Sequence, residues 1–133
     1  MVPLSHNGSQ DYVEDADWFW HVIARADRSK ERLRDIFQGL TKEEVYKFQD
    51  LFLEMAVELQ DEPYSHYVGP DESEDGLADI SHWLVSQGRS RYTAVLEKPD
   101  LMPSHVEVGD TANLFPVAYE VYYDRFGESL DVM

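Results

Sequence analysis

Thr41-Lys42-Glu43-Glu44-Val45-Tyr46-Lys47-Phe48-Gln49-Asp50-Leu51-Phe52-Leu53-Glu54-Met55-Ala56-Val57-Glu58-Leu59 is the segment that decides the architecture. It opens with a capping box, in which the Thr41 hydroxyl and the Glu44 carboxylate satisfy each other's free backbone amides. Behind the box, Val45, Phe48, Phe52, Met55 and Leu59 recur every three or four residues, so they share one stripe of an α-helix. Pro63 ends the pattern. A helix with so heavy an apolar stripe must bury it against partners of the same kind.

Those partners lie on both sides. Upstream, Asp15 or Asp17 is a helix cap, followed by Trp18, Phe19, Val22, Ile23 and Ala26 at helical spacing. Ser29 caps a second helix that carries Leu33, Ile36, Phe37 and Leu40 and stops near Gly39. Trp20 is turned well round from Trp18 and must pack beneath another element or serve as an exposed anchor. Downstream, residues 61–75 are polar and read as an exposed loop. A fourth helix from about Asp75 carries Leu77, Ile80 and Leu84, with Gly88 as a left-handed cap. A fifth, Ser90 to Glu97, presents Tyr92, Val95 and Leu96 and is closed by Pro99. A loop follows over 99–112, in which Val106–Val108 is too short a run to assign as a strand. The last helix starts near Asn113, tolerates Pro116 in its first turn, carries Leu114, Val117, Ala118, Val121, Tyr122 and Phe126, and ends at Gly127. The expectation is an all-α single compact domain of about five or six short helices over residues 15–130. Residues 1–14, with a turn at Asn7-Gly8, are expected to form a mobile leader.

Composition agrees with one domain and narrows the chemistry. The 133 residues are 43% hydrophobic and 13% aromatic, enough for a core without disulfides or a structural metal. There is no cysteine, which removes disulfide scaffolds, zinc ribbons and thiol nucleophiles together. No apolar run reaches the length of a membrane span, and Met1 to His6 lacks a secretory pattern, so a cytoplasmic location is expected. With 27 acidic and 11 basic side chains the net charge is −16, unsuited to a phosphate-binding face. The charge is also segregated. The 41 residues from Phe48 to Gly88 hold ten acids and no Lys or Arg, while Arg25, Arg28, Lys30, Arg32 and Arg34 crowd one junction. Asp27, Glu31 and Asp35 interleave with that basic cluster and read as its i,i+4 partners. Repulsion among crowded carboxylates predicts that mild acidification first raises stability.

Asp75-Gly76-Leu77-Ala78-Asp79-Ile80-Ser81-His82-Trp83-Leu84-Val85-Ser86-Gln87-Gly88-Arg89 resembles the "DGF..FR.WLI.QGR" segment of the bacterial DUF4240 family. Trp18-Phe19-Trp20 is similar to the family's "FW..I" pattern, and Lys98-Pro99-Asp100-Leu101 to its "DPDSL" loop. Ala118-Tyr119-Glu120-Val121-Tyr122 with Phe126-Gly127 resembles its final "A.EAYE..TG" helix. Two departures stand out. The family's "WDLWAAAYLINGGC" stretch is replaced by Tyr64-Ser65-His66-Tyr67-Val68-Gly69-Pro70, and the arginine of "FR.WL" is Ser81. The family has no established activity, so the resemblance implies a fold and an order of elements rather than a reaction.

The chemical motifs are sparse. Asp71-Glu72-Ser73-Glu74-Asp75-Gly76 begins like a calcium loop, but position twelve is His82 where a bidentate Glu is needed, so it reads as a solvated acidic helix start. His6, His21, His66, His82 and His105 show no ligand spacing and read as scattered surface histidines. No nucleophile elbow and no glycine-rich phosphate loop occurs. No catalytic residue, metal or cofactor is therefore assigned. The group with most binding potential is Asp75, Trp83, Gln87, Arg89 and Tyr92, around the turn between the fourth and fifth helices. Its competing structural reading makes Trp83 core, Gln87 a backbone cap and Arg89 half of an ion pair.

The charge asymmetry favours a non-enzymatic, immunity- or inhibitor-like interaction module. Its acidic face, including Asp61, Glu62, Asp71, Glu72, Glu74 and Asp79, would meet a basic protein partner rather than nucleic acid or membrane. The alternative is a small-molecule-binding or catalytic domain with a pocket at the turn between the fourth and fifth helices.

Overall fold

A computed structural model of the chain describes residues 4–68, 74–104 and 113–131, with the backbone alone for 4–13 and 74–75. The described residues form six α-helices and no strand: α1 (Leu4–Ala26), α2 (Lys30–Gln38), α3 (Lys42–Val57), α4 (Glu74–Ser86), α5 (Arg89–Glu97) and α6 (Val117–Phe126). Three short 3₁₀ turns, Glu58–Gln60, Tyr64–Tyr67 and Pro99–Leu101, join them. No helix among the described residues is long and apolar enough to cross a membrane.

The capping box forms as the sequence implies. Thr41 N–H donates to Glu44 Oε1 at 2.8 Å, and Glu44 N–H donates to Thr41 Oγ1 at 3.1 Å. The helix it starts is the hub, because α3 lies against α1, α4 and α6 at once. Phe19 of α1, Phe37 of α2, and Phe48 and Phe52 of α3 are fully buried. Phe48 meets Phe19 at 4.9 Å between ring centroids and Phe37 at 5.0 Å, edge-on to the latter. Burying rings of this size supplies on the order of 2–3 kcal/mol each, with the edge-to-face geometry adding up to about 1 kcal/mol per pair. Trp20 finds its place beneath α5, with its ring 5.1 Å from that of Tyr92.

Boundaries move where local hydrogen bonds compete with helix. α1 begins at Leu4 rather than Asp15, so Asn7-Gly8 lies inside a helix instead of forming a turn. Extending a formed helix adds one bond per residue fixed, which offsets the weak propensity of a single Asn or Gly. α6 begins at Val117 rather than Asn113. The Asn113 side chain accepts from Phe115 N–H at 3.1 Å and Leu114 N–H donates to Ser86 Oγ at 2.8 Å, so these amides are spent on a turn. Within the expected loop 61–75, Tyr64–Tyr67 forms a 3₁₀ turn that Tyr64 fastens to α5 through Leu96 O at 3.0 Å. Gly88 sits at φ 114, ψ 167, outside the left-handed helical region and open only to glycine. Gly127, at φ 67 and ψ 20, ends α6 where expected and does so as a left-handed cap. Val106–Val108 lies outside the described residues.

Arg125 ties the ends of two helices together. Its guanidinium donates to Phe37 O and Leu40 O, both at 2.6 Å, closing the carbonyl end of α2 from α6. Arg125→Met is expected to lower stability by about 2 kcal/mol, the range of hydrogen bonds to a charged donor, in urea denaturation. Arg125→Lys, lacking the planar fork, is expected to recover only part of that loss.

Candidate functional site

Asp50, Glu54 and Glu58 follow one another at intervals of four, so α3 and the first 3₁₀ turn carry three carboxylates in one row. The core stripe of the same helix faces inward and leaves that row on its outer flank. Glu54, Glu58, Asp61, Glu62 and Asp79 are exposed and Asp50 is half-buried. Burial first, and then the negative neighbours Asp50 and Asp15, hold Glu54 above the usual carboxylate pKa. Of the other acids expected on this face, Glu74 lies in the first turn of α4, while Asp71 and Glu72 lie outside the described residues.

Five of the domain's cations are engaged by acids elsewhere. Among the described residues, Arg32 pairs with Asp27 (3.8 Å), Arg34 with Glu120, Lys42 with Glu128, Lys47 with Asp15 and Arg89 with Asp17 (2.7–2.8 Å). All five acids in these pairs lie outside residues 48–88. Of the interleaved acids expected as i,i+4 partners of the basic cluster, only Asp27 is paired among the described residues, by Arg32 five residues on, while Arg34 reaches across to α6. Lys47, the last cation before the acidic run, is held by Asp15 and lies 4.8 Å over the Trp18 ring.

The group at the α4–α5 turn is drawn into the scaffold. Tyr92 is interior, 4% exposed, with its hydroxyl donating to Met55 O at 2.7 Å, so it forms no pocket wall. Gln87 Nε2 donates to Trp83 O at 3.0 Å and closes the carbonyl end of α4. Arg89 is bound to Asp17 at 2.8 Å. Asp75 lies in the first turn of α4, three turns from Gln87 along the helix. Trp83 is half-buried against the core, with the Arg91 guanidinium 5.0 Å over its ring. The nearby surface is an open depression of about 410 Å³ lined by Arg89, Ser90, Thr93, Ala94 and Glu97 on α5. Neither Trp83 nor Gln87 lines it. Ser81 is fully buried, accepts from Gln60 Nε2 at 2.9 Å and donates to Ala78 O at 2.7 Å. Partial exposure sets the expected cost of Trp83→Ala at about 2 kcal/mol, below that of a fully buried tryptophan, as read from thermal unfolding.

One polar cluster escaped the sequence reading. His82 is no surface histidine: it is 9% exposed and stacked on Phe115 at 3.7 Å with rings parallel to within 2°. Ser86 Oγ donates to His82 O and accepts from Leu114 N–H, each at 2.8 Å, while Gln49 Nε2 donates to Phe115 O at 3.0 Å. Together these groups pin the turn that leads into α6. Burial lowers the His82 pKa from 6.5 to about 4. The unfolded chain therefore takes up this proton first, so the fold loses stability as pH falls from about 6.5 toward 4. This term, on the order of 3 kcal/mol, opposes the gain expected from carboxylate protonation. Thermal midpoints are expected to fall over that interval in the native chain and to rise in His82→Phe, which cannot titrate.

No match to the chain occurs among curated proteins or among solved structures. Residues 15–128 match the family described as protein of unknown function DUF4240, from the aromatic start of the core in α1 to just beyond the cap of α6. The chain is therefore a member of the DUF4240 family.

Proposed function

We propose that the protein is a non-enzymatic interaction module that presents its acidic face to a basic protein partner. The observation that carries this reading is the separation of charge: no acid of residues 48–88 joins an ion pair among the described residues, while five acids elsewhere do. Like charges at i,i+4 cost the helix a few tenths of a kcal/mol per pair. A row of them left without local cations has its field directed into solvent, where it raises the encounter rate with cationic surfaces by about 10- to 1000-fold. An inhibitor- or immunity-like role in a bacterial cytoplasm uses this physics directly. The α4–α5 turn supports a ligand-binding or catalytic reading less well, because Gln87, Arg89 and Tyr92 are each engaged by the scaffold.

The immobilised protein is expected to retain a basic protein from a lysate of its host at about 50 mM salt and to release it at about 0.5 M, where the screening length falls to a few ångströms. A variant carrying Glu54→Gln, Glu58→Gln, Asp61→Asn and Glu62→Gln is expected to retain none. Equal retention by both proteins, or retention insensitive to salt, contradicts the reading.

A further inference from the structure

Three large apolar side chains are exposed on neighbouring elements. Val57, at the end of α3, is 55% exposed, Tyr67 40% and Leu101 50%. The 3₁₀ turn that follows Val57 touches Tyr64–Tyr67, which in turn touches Pro99–Leu101. Tyr46 and Tyr123, the other large apolar side chains of similar exposure among the described residues, lie at the start of α3 and on α6. The platform beneath the three is firm: Leu59 is fully buried, and Tyr64 is bonded to Leu96 O. Side chains so placed are not needed by the core, and apolar groups rimmed by polar ones mark contact sites.

The rim is acidic. Glu58, Asp61, Glu62, Glu97 and Asp100 are exposed on these same elements or next to them, against the single cation Lys98. None of these five acids is in an ion pair among the described residues. An occupant must therefore offer apolar groups flanked by positive charge. The described residues contain no strand, so no sheet edge is present among them to pair an extended peptide's backbone. The occupant must bring its own backbone hydrogen bonds. We propose that Val57, Tyr67 and Leu101 are the seat for a cationic amphipathic helix of the partner protein. The inference rests on the acidic-face reading above and adds the shape and apolar side of the partner.

Two lysine–leucine peptides of identical composition test it by fluorescence anisotropy. One places leucine at i, i+3, i+4 and i+7, and the other distributes leucine around the whole helix. The patterned peptide is expected to bind about tenfold more tightly, the difference expected of a small apolar hot spot. Val57→Ser, Tyr67→Ser and Leu101→Ser together are expected to remove that preference, with an unchanged far-ultraviolet spectrum. Glu58→Gln, Asp61→Asn and Glu62→Gln together are expected to weaken both peptides alike. Equal binding of the two peptides to the native protein overturns the apolar seat and leaves the acidic-face reading standing. Binding of neither peptide overturns both.

Discussion

The packing of the Phe48 ring against Phe19 and Phe37 is the contact on which the rest of the molecule depends. It joins α1, α2 and α3 through side chains from which water is excluded. Phe52, four residues on, carries the same ring chain to His82 of α4 and to Phe115 ahead of α6. With the apolar stripe of α3 committed inward, together with Gln49, Leu51 and Ala56 beside it, only the opposite flank of the helix is left to solvent. The outer row of Asp50, Glu54 and Glu58 is thus a geometric consequence of where the phenylalanines sit.

Most of this architecture is legible in the sequence because it is carried by local signals. The Thr41–Glu44 box, the Ser29 cap and the Gly127 stop are short-range devices with one physical solution, and each forms where its residues stand. What was not legible depends on distant partners. Nothing near His82 in the sequence announces Phe115, yet stacking on that ring turns a polar residue into an interior one. Gln49 offered a weak clue: it stands four residues after Val45, on the edge of the apolar stripe, where a polar group implies an interior partner. That partner is Phe115 O. The acidic stretch was visible as composition. That its acids go without cations among the described residues was not, because ion pairing is decided by tertiary distance.

The same separation of local from distant explains the α4–α5 turn. Trp83, Gln87 and Arg89 are close in sequence and look like a binding constellation. In the fold, Gln87 serves the end of its own helix, Arg89 reaches α1, and Trp83 shields part of the core beneath Arg91. Clustering along the chain does not become a site unless the side chains converge on common space. Glu58, Asp61 and Glu62 of the acidic face stand on or beside the elements that expose Val57 and Tyr67, and Lys98 is the one cation next to them among the described residues.

The response of thermal stability to salt at pH 7 tests the central claim, that these acids repel one another and are not neutralised within the fold. Screening weakens repulsion and attraction alike, so the sign of the response reports which dominates. Between about 10 mM and about 300 mM sodium chloride, over which the screening length falls from about 30 Å to about 6 Å, the midpoint is predicted to rise. A midpoint that falls over the same range would mean that the acids are paired inside the domain, with no free field to offer a partner.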